Sequence, residues 1–316
     1  MISAKIIADS RNEFGNRLTT FVLTFPRIVL AEFNTHRMIS KNSASSRAIP
    51  FKKMLQMVQE NPFIPIKWQK DHLGMQGNEY FEGEQTGLKL LWLESRDEAI
   101  KKALQLNYIG VTKQICNRLL EPFMWHTVIA TGSEWENFFT LRANDQAEIH
   151  IQDLAYKMLE VYNASDPKQL KAGEWHIPFG EQFDNERLFE LFLTESDEDL
   201  ENEEKGIEEL KVKIATARCA RVSYLNFEGK DDYEADLKLY DRLAASGHYS
   251  PFEHCAKAMS SEEFEKHFVQ IIPAKKGVLT SMEMGWCGNF KGFIQLRKTL
   301  YGENKSDNRV KKLTHA

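Results

Sequence analysis

The sequence predicts an α+β fold, with a mixed or antiparallel sheet flanked by helices. Two runs near the N-terminus, residues 2–8 and 18–33, are rich in the branched, aromatic and hydroxyl side chains that suit a pleated, half-buried strand. Later stretches carry apolar residues at helical spacing. No GxGxxG follows a strand, so nothing supports a Rossmann-type parallel sheet. A chain of 316 residues can bury a sizeable core. It reads as a single domain over 1–300, with an acidic insert near 194–209 and a polar tail over 301–316.

In chain order, residues 2–8 and 18–33 make a hairpin around the polar turn Ser10 to Asn16. After Pro50, FKKMLQMVQ has helical spacing of Met54, Leu55 and Val58. The loop NPFIPIKWQKDHLGMQG follows, and its Trp68, His72 and Met75 either line a pocket or pack the loop. Thr86 to Leu120 suits helices broken near Asn107 to Gly110, with Arg118 at the end of the second. Ser133 and Glu136 match a capping box, S-x-x-E, opening one long helix through about Tyr162. TESDEDLENEEKGIEE, residues 194–209, reads as a solvated excursion or linker. KVKIATARCARVSYLNF suits a strand or a helix-to-strand connection. An amphipathic helix follows, with Leu237, Leu239, Tyr240 and Leu243 inside, Gly247 as C-cap and Pro251 beyond it. MGWCGNFKGFIQLRK is the last ordered segment.

Composition narrows the classes of function. Hydrophobic residues at 42% and charged residues at 28% are ordinary for a globular protein. The net charge of −5 argues against a nucleic-acid surface but leaves room for a local basic pocket. Cys116, Cys219, Cys255 and Cys287 form no CxxC pair and no zinc-finger spacing, so they read as reduced, mostly buried thiols. No signal-peptide apolar region and no apolar run near the roughly 20 residues of a membrane span is present. A cytoplasmic protein without membrane partners is expected.

The chemistry concentrates between Phe33 and Arg47, FNTHRMISKNSASSR. His36, Arg37, Asn42, the serines Ser40, Ser43, Ser45 and Ser46, and Arg47 supply short hydrogen-bonding groups and guanidiniums that suit an anion, phosphate above all. The alternative is a polar turn that uses the same residues locally. Arg142, flanked by Phe138 and Gln146 at helical spacing, is read as partly buried and in need of an anion, a carbonyl or an internal salt bridge. Arg118 either overhangs a cleft or serves a helix C-terminus. In GHYSPFEH the residues His248, Ser250, Glu253 and His254 gather without HExxH spacing, so no metal site is assigned.

Three of these segments together resemble the flavin-dependent thymidylate synthases. The signature of that family is Arg-His-Arg, seven further residues, then Ser continuing to an Arg; here it stands as Thr35-His36-Arg37, MISKNSA, then Ser45, Ser46 and Arg47. Thr35 replaces the first Arg, and Ser43 replaces the usual acidic residue. ENFFTLRANDQAEIHIQDLA is similar to the segment in which Asn137 would contact flavin and Arg142 the pyrimidine, and Arg118 in RLLEP matches a nucleotide-contacting Arg. ARVSY and GHYSPFEH match motifs that put Ser223, His248 and Ser250 at flavin-contacting positions. In familiar members these two motifs precede the Arg-His-Arg signature, whereas here they follow it, as in a circular permutation, which close surface termini tolerate. FKGFIQLRK resembles the strand leading into that signature, so Arg297 is a candidate to replace the guanidinium missing at Thr35.

The resemblance implies an α+β fold of that family and reductive methylation of dUMP to dTMP. FAD would be the cofactor, with methylenetetrahydrofolate and NADPH as co-substrates. Ser45, Ser46, Arg47 and Arg118 would bind dUMP, with Arg142 both substrate-binding and catalytic. His36, Arg37, Asn137, Ser223, His248 and Ser250 would hold flavin. A homotetramer with shared sites is implied as well. The alternatives are a pyrimidine nucleotide hydroxymethylase, motivated by Thr35 and Ser43, and a non-catalytic nucleotide-binding homologue.

Overall fold

Strand β1 (Ser3–Asn12) and strand β2 (Arg17–Pro26) form the expected N-terminal hairpin, with Gly15 at φ 81° in its turn. This is a computed structural model, and it describes residues 1–74, 77, 79–195, 203–222, 231–271 and 281–303. After β2 come α1 (Leu30–Asn34), β3 (Ser40–Ser43), α2 (Phe51–Glu60), α3 (Thr86–Tyr108), α4 (Lys113–Cys116), a 3-10 turn over Asn117–Phe123 and β4 (Trp125–Gly132). Then follow α5 (Glu136–Arg142), α6 (Ile149–Ala164), β5 (Lys168–Leu170), β6 (Trp175–His176), α7 (Asn185–Glu195), α8 (Glu203–Arg221) and α9 (Tyr233–Ser246). The C-terminal part holds β7 (Ala256–Ala258), α10 (Ser261–Lys266), β8 (Phe268–Ile271), β9 (Ser281–Met284), β10 (Trp286–Cys287), β11 (Phe290–Lys291), β12 (Phe293–Gln295) and α11 (Leu296–Thr299).

The main sheet has the order β3-β4-β2-β1-β5. All its neighbours are antiparallel except β5, which runs parallel to β1 at the edge. The α+β expectation therefore holds. Period-two alternation divides the sheet residues between two cores. Phe21, Leu23, Val128 and Ala130 pack with Ile151, Leu154 and Met158 of α6. Val22 and Ile129, partners across β2 and β4, pack on the opposite face with Ala215 and Cys219 of α8 and with Phe252. A smaller sheet, β12-β7-β6, closes one end. All four cysteines are free and buried. Among the described residues no helix is long and apolar enough to cross a membrane.

Several boundaries differ from expectation. The second strand stops at Pro26, whose missing N–H cannot extend the ladder, and residues 27–34 turn helical instead. The long helix expected from Ser133 to Tyr162 is two helices. Asn144 folds its side chain onto the Gln146 N–H at 2.9 Å and ends the first, and the Glu148 carboxylate caps the second by accepting from the backbone of His150 and Ile151. Ser133 makes no cap there; its hydroxyl accepts from the Lys291 N–H.

KVKIATARCAR is the second half of α8, not a strand: its alanines favour a helix and are small enough to be buried on several sides. The acidic run is correspondingly divided. Residues 203–209 open α8, where carboxylates suit the helix N-terminus, while 196–202 lie outside the described residues. Trp68 packs edge-on against Trp92, His72 is exposed, and Met75 lies outside the described residues. The break near Asn107 to Gly110 and the left-handed Gly247 (φ 70°) that ends α9 are as expected.

Phe21 is fully buried, edge-on to Trp135 and stacked with Tyr162. Phe21→Ala should lose about 3–5 kcal/mol of stability, read as a lowered urea midpoint with an unchanged slope. A loss under ~1 kcal/mol would show that this side of the sheet is not the core described.

Candidate functional site

The polar stretch after α1 is spread along one route: a turn at Thr35 to Ile39, the edge strand β3, and the turn Ala44 to Arg47. At its start Arg142, the last residue of α5, donates from Nε to His36 Nε2 at 3.0 Å and from Nη2 to Thr35 Oγ1 at 3.4 Å. His36 Nε2 must therefore be an unprotonated acceptor, with the ring proton on Nδ1. Burial first, then the charges of Arg142 and Lys41, push the His36 pKa down to about 4, which agrees with that neutral state. Arg142 makes no ion pair among the described residues, so the internal salt bridge weighed from sequence is not what holds it.

Lys41, on β3, reaches back to the same turn. Its ammonium donates to the His36 and Ile39 carbonyls and lies 5.4 Å from the centroid of the Phe33 ring. Burial, then Arg37, lower its pKa to about 8, with Glu253 opposing. Cationic groups thus crowd one end of β3 with little carboxylate to balance them.

At the other end, Ser46 is buried and its hydroxyl donates to Glu121. Arg118 Nη1 lies 3.6 Å and Arg27 Nη2 3.7 Å from the same Glu121 oxygen. Arg47, exposed, reaches Gln114 through Nε at 3.3 Å, and Ser45 is half-buried beside it. Asn117 anchors this turn by donating to the carbonyls of Ser46 (2.6 Å) and Ile49 (3.0 Å). Two guanidiniums on one carboxylate, with that of Arg47 following Ser46 in the turn, leave net positive charge for an anion. Sequence reasoning missed Arg27 and Glu121. The E of RLLEP was the available signal for Glu121, while Arg27 was hidden in a run read as strand.

The C-terminal motif reaches the same strand. Ser250 donates to Asn42 Oδ1 at 2.9 Å, and Asn42 Nδ2 donates to the Cys219 carbonyl at 2.9 Å, joining β3, the SPFE turn and α8. Arg37, Asn137 and His248 are exposed, with no side-chain hydrogen-bond partner among the described residues. Ser223 lies outside the described residues. In GHYSPFEH, His254 is buried on Thr131 while His248 faces solvent, so the two do not share a ligand. Arg297 does not stand in for the missing guanidinium at Thr35. Its Nη1 donates to Glu253 at 2.5 Å and its Nε to Glu303 at 2.7 Å, and the two carboxylates hold it at the SPFE turn.

Fold and site together describe an α+β protein with an anion-suited basic cluster beside a cation-rich turn. Residues 16–168 match the family described as thymidylate synthase complementing protein. That segment contains His36, Arg37, Ser45, Ser46, Arg47, Arg118, Asn137 and Arg142, and the resemblance to flavin-dependent thymidylate synthases holds over it. No curated protein matches the chain in sequence. Among solved structures, the chain is similar to the UMP/dUMP methylase PolB from Streptomyces cacaoi bound with 5-Br UMP. The two are 13% identical over 52% of this chain and 89% of that one, with a TM-score of 0.42. The same methylase bound with 5-Br dUMP gives 15% identity, 52% and 90% coverage, and a TM-score of 0.41.

His36 also sets a pH dependence. Its pKa is near 4 in the fold against 6.5 ordinarily, so the unfolded chain takes up the proton first and stability falls as pH drops from about 6.5 toward 4. His126, His176 and His254, each held near 3 by burial, act in the same direction. His36→Gln keeps an acceptor for Arg142 but no titrating group, so its urea midpoint should fall less steeply over this range than that of the wild type. Parallel slopes would show that His36 is not held neutral.

Proposed function

We propose that the protein is a flavin-dependent thymidylate synthase: it methylates dUMP reductively to dTMP, with methylenetetrahydrofolate as carbon donor and NADPH as reductant. The observation that carries this reading is the family match over residues 16–168, because it contains both cationic ends of β3. The dUMP phosphate sits at Ser45, Ser46, Arg47 and Arg118, where charge-assisted bonds suit it. Ser46 and Arg118 exchange Glu121 for phosphate oxygens on binding. Arg142 addresses the pyrimidine. With Nε held by His36, its guanidinium fork is oriented in advance, and its charge favours the ionised imide, which makes C5 a carbon nucleophile. His36 is a positioning residue in this scheme.

Flavin fits the residues left over. Arg37, Asn137 and His248 offer exposed donors, and Ser250 and Asn42 bring the C-terminal motif against β3. Bound FAD supplies the hydride chemistry; the protein binds and orients. A homotetramer with sites shared between subunits belongs to the same proposal. Thr35, which accepts from Arg142 where the family has an Arg, supports a second reading, hydroxymethylation at C5. Mass spectrometry of the product separates the two.

Purified protein should bind FAD and quench its fluorescence on titration. Absence of FAD binding by calorimetry would sink the proposal. Arg142→Lys keeps the charge but loses the planar fork. It should leave fold and FAD binding intact while costing on the order of 2–4 kcal/mol in the transition state, about a hundredfold or more in rate. The readout is single-turnover oxidation of reduced flavin with dUMP and methylenetetrahydrofolate. Turnover at the wild-type rate would remove Arg142 from the mechanism.

A further inference from the structure

The basic turn that follows β3 is closed by one of the protein's own carboxylates. Glu121 Oε1 accepts from the buried Ser46 hydroxyl and lies 3.6 Å from Arg118 Nη1 and 3.7 Å from Arg27 Nη2. At those two lengths the guanidiniums are ion-pair partners without being hydrogen-bond donors. Glu121 therefore sits where a ligand anion would bind, and its close bond is to Ser46. Among the described residues no other carboxylate pairs with Arg27 or Arg118.

The two arginines are not held alike. The Arg118 side chain is 54% exposed and has no further side-chain partner among the described residues, so it is free to follow a ligand. The Arg27 side chain is 21% exposed and fixed at both ends. Its backbone N–H donates to the Met124 carbonyl at 3.0 Å, and its Nη1 donates to His126 Nε2 at 3.1 Å. His126 is buried; burial first, then the charge of Arg27, lowers its pKa to about 3 and keeps the imidazole a neutral acceptor. Nη2 thus faces Glu121 from a fixed position, and a shift of the carboxylate by roughly 1 Å would turn this ion pair into a hydrogen bond. A phosphate that takes Ser46 and Arg118 leaves that carboxylate beside it. Like charges so close repel strongly where water is scarce, so the displaced Glu121 needs a cation of its own. Arg27 is the one already beside it.

We propose that Glu121 is a resident counter-ion of the phosphate seat and that Arg27 is the positioning residue that receives it when nucleotide phosphate binds. The inference rests on the proposed function for the place of the phosphate. In the fold described, Ser46 donates to Glu121 and Arg118 leans on the same oxygen. With phosphate bound, Ser46 donates to it, Arg118 pairs with it, and Glu121 closes on Arg27. The resident carboxylate holds the turn together and competes with the ligand, so removing its charge should weaken the fold and tighten binding.

A double-mutant cycle on dUMP binding, read by calorimetry, tests the exchange. Glu121→Gln keeps an acceptor for Ser46 without the charge. It should lower the melting temperature and tighten dUMP about tenfold. Arg27→Gln keeps a donor for His126 without the cation. It should weaken dUMP about tenfold where Glu121 is present and less than about twofold where position 121 is Gln. Deoxyuridine, which has no phosphate, should bind all four proteins alike. An equal loss of dUMP affinity in both backgrounds, no loss in either, or an equal loss for deoxyuridine overturns the exchange. If Arg27→Gln does not fold, Glu121→Gln decides, and dUMP binding no tighter than in the wild type overturns it. The same cycle with inorganic phosphate separates this inference from the proposed function. Coupling between the two positions in a protein that forms no dTMP leaves the exchange standing and removes the function, whereas additive changes in a protein that forms dTMP do the reverse. A wild-type protein that binds neither dUMP nor phosphate overturns the exchange.

Discussion

The register of β4 between β2 and β3 is the constraint on which the rest depends. It pairs Thr20 with Thr131 and Val22 with Ile129 on one side, and Thr131 with Ser40 and Ile129 with Asn42 on the other. Side chains alternate along a strand, so a slip of one residue would turn every one of these to the opposite face. Val128 and Ala130 would leave the α6 core, and Asn42 would lose both α8 and Ser250. Hydrophobic burial on both faces holds the register, and the polar groups are placed by it.

The electrostatics of the site follow from where carboxylates are missing. Arg297, Arg218 and Arg17 are each matched by acids within the fold. Arg142 instead binds an imidazole and a hydroxyl, Lys41 binds carbonyls, and Arg27 and Arg118 share one glutamate. A half-buried cation without a counter-charge is costly unless an anion arrives, so these groups are pre-arranged for a ligand rather than for stability. His36 connects the two aspects. Because it is neutral it can accept from Arg142, and it stays neutral because burial first, and then the nearby Arg142 and Lys41, disfavour the imidazolium.

Separate segments meet at β3 by tertiary contact alone. Asn42 and Ser250 are 208 residues apart, Ser40 and Gln295 255 apart, yet both pairs are hydrogen-bonded. The order of the motifs along the chain therefore does not prevent their assembly in space. The helical segments behave differently. α8 is surrounded by the sheet, α7 and α9, and its Ala-rich surface fits that position better than the acidic beginning of the helix suggests.

Local pattern was enough for the N-terminal hairpin and for α2, α3 and α9, and it singled out His36, Ser46, Arg47, Arg118 and Arg142 as candidates, because periodicity and side-chain chemistry are properties of short stretches. Helix limits depended on competing hydrogen bonds. Ser133 had the spacing of a cap but was taken by Lys291, and Glu148 capped α6 in its place. The partners of charged groups were decided only in three dimensions. Nothing in the sequence around Arg297 tells that Glu253 and Glu303 will hold it, or that Arg142 will meet an imidazole. The residue types that can bind an anion were set by the sequence; which of them remain available was decided by the fold, since pairing energy depends on distance and burial.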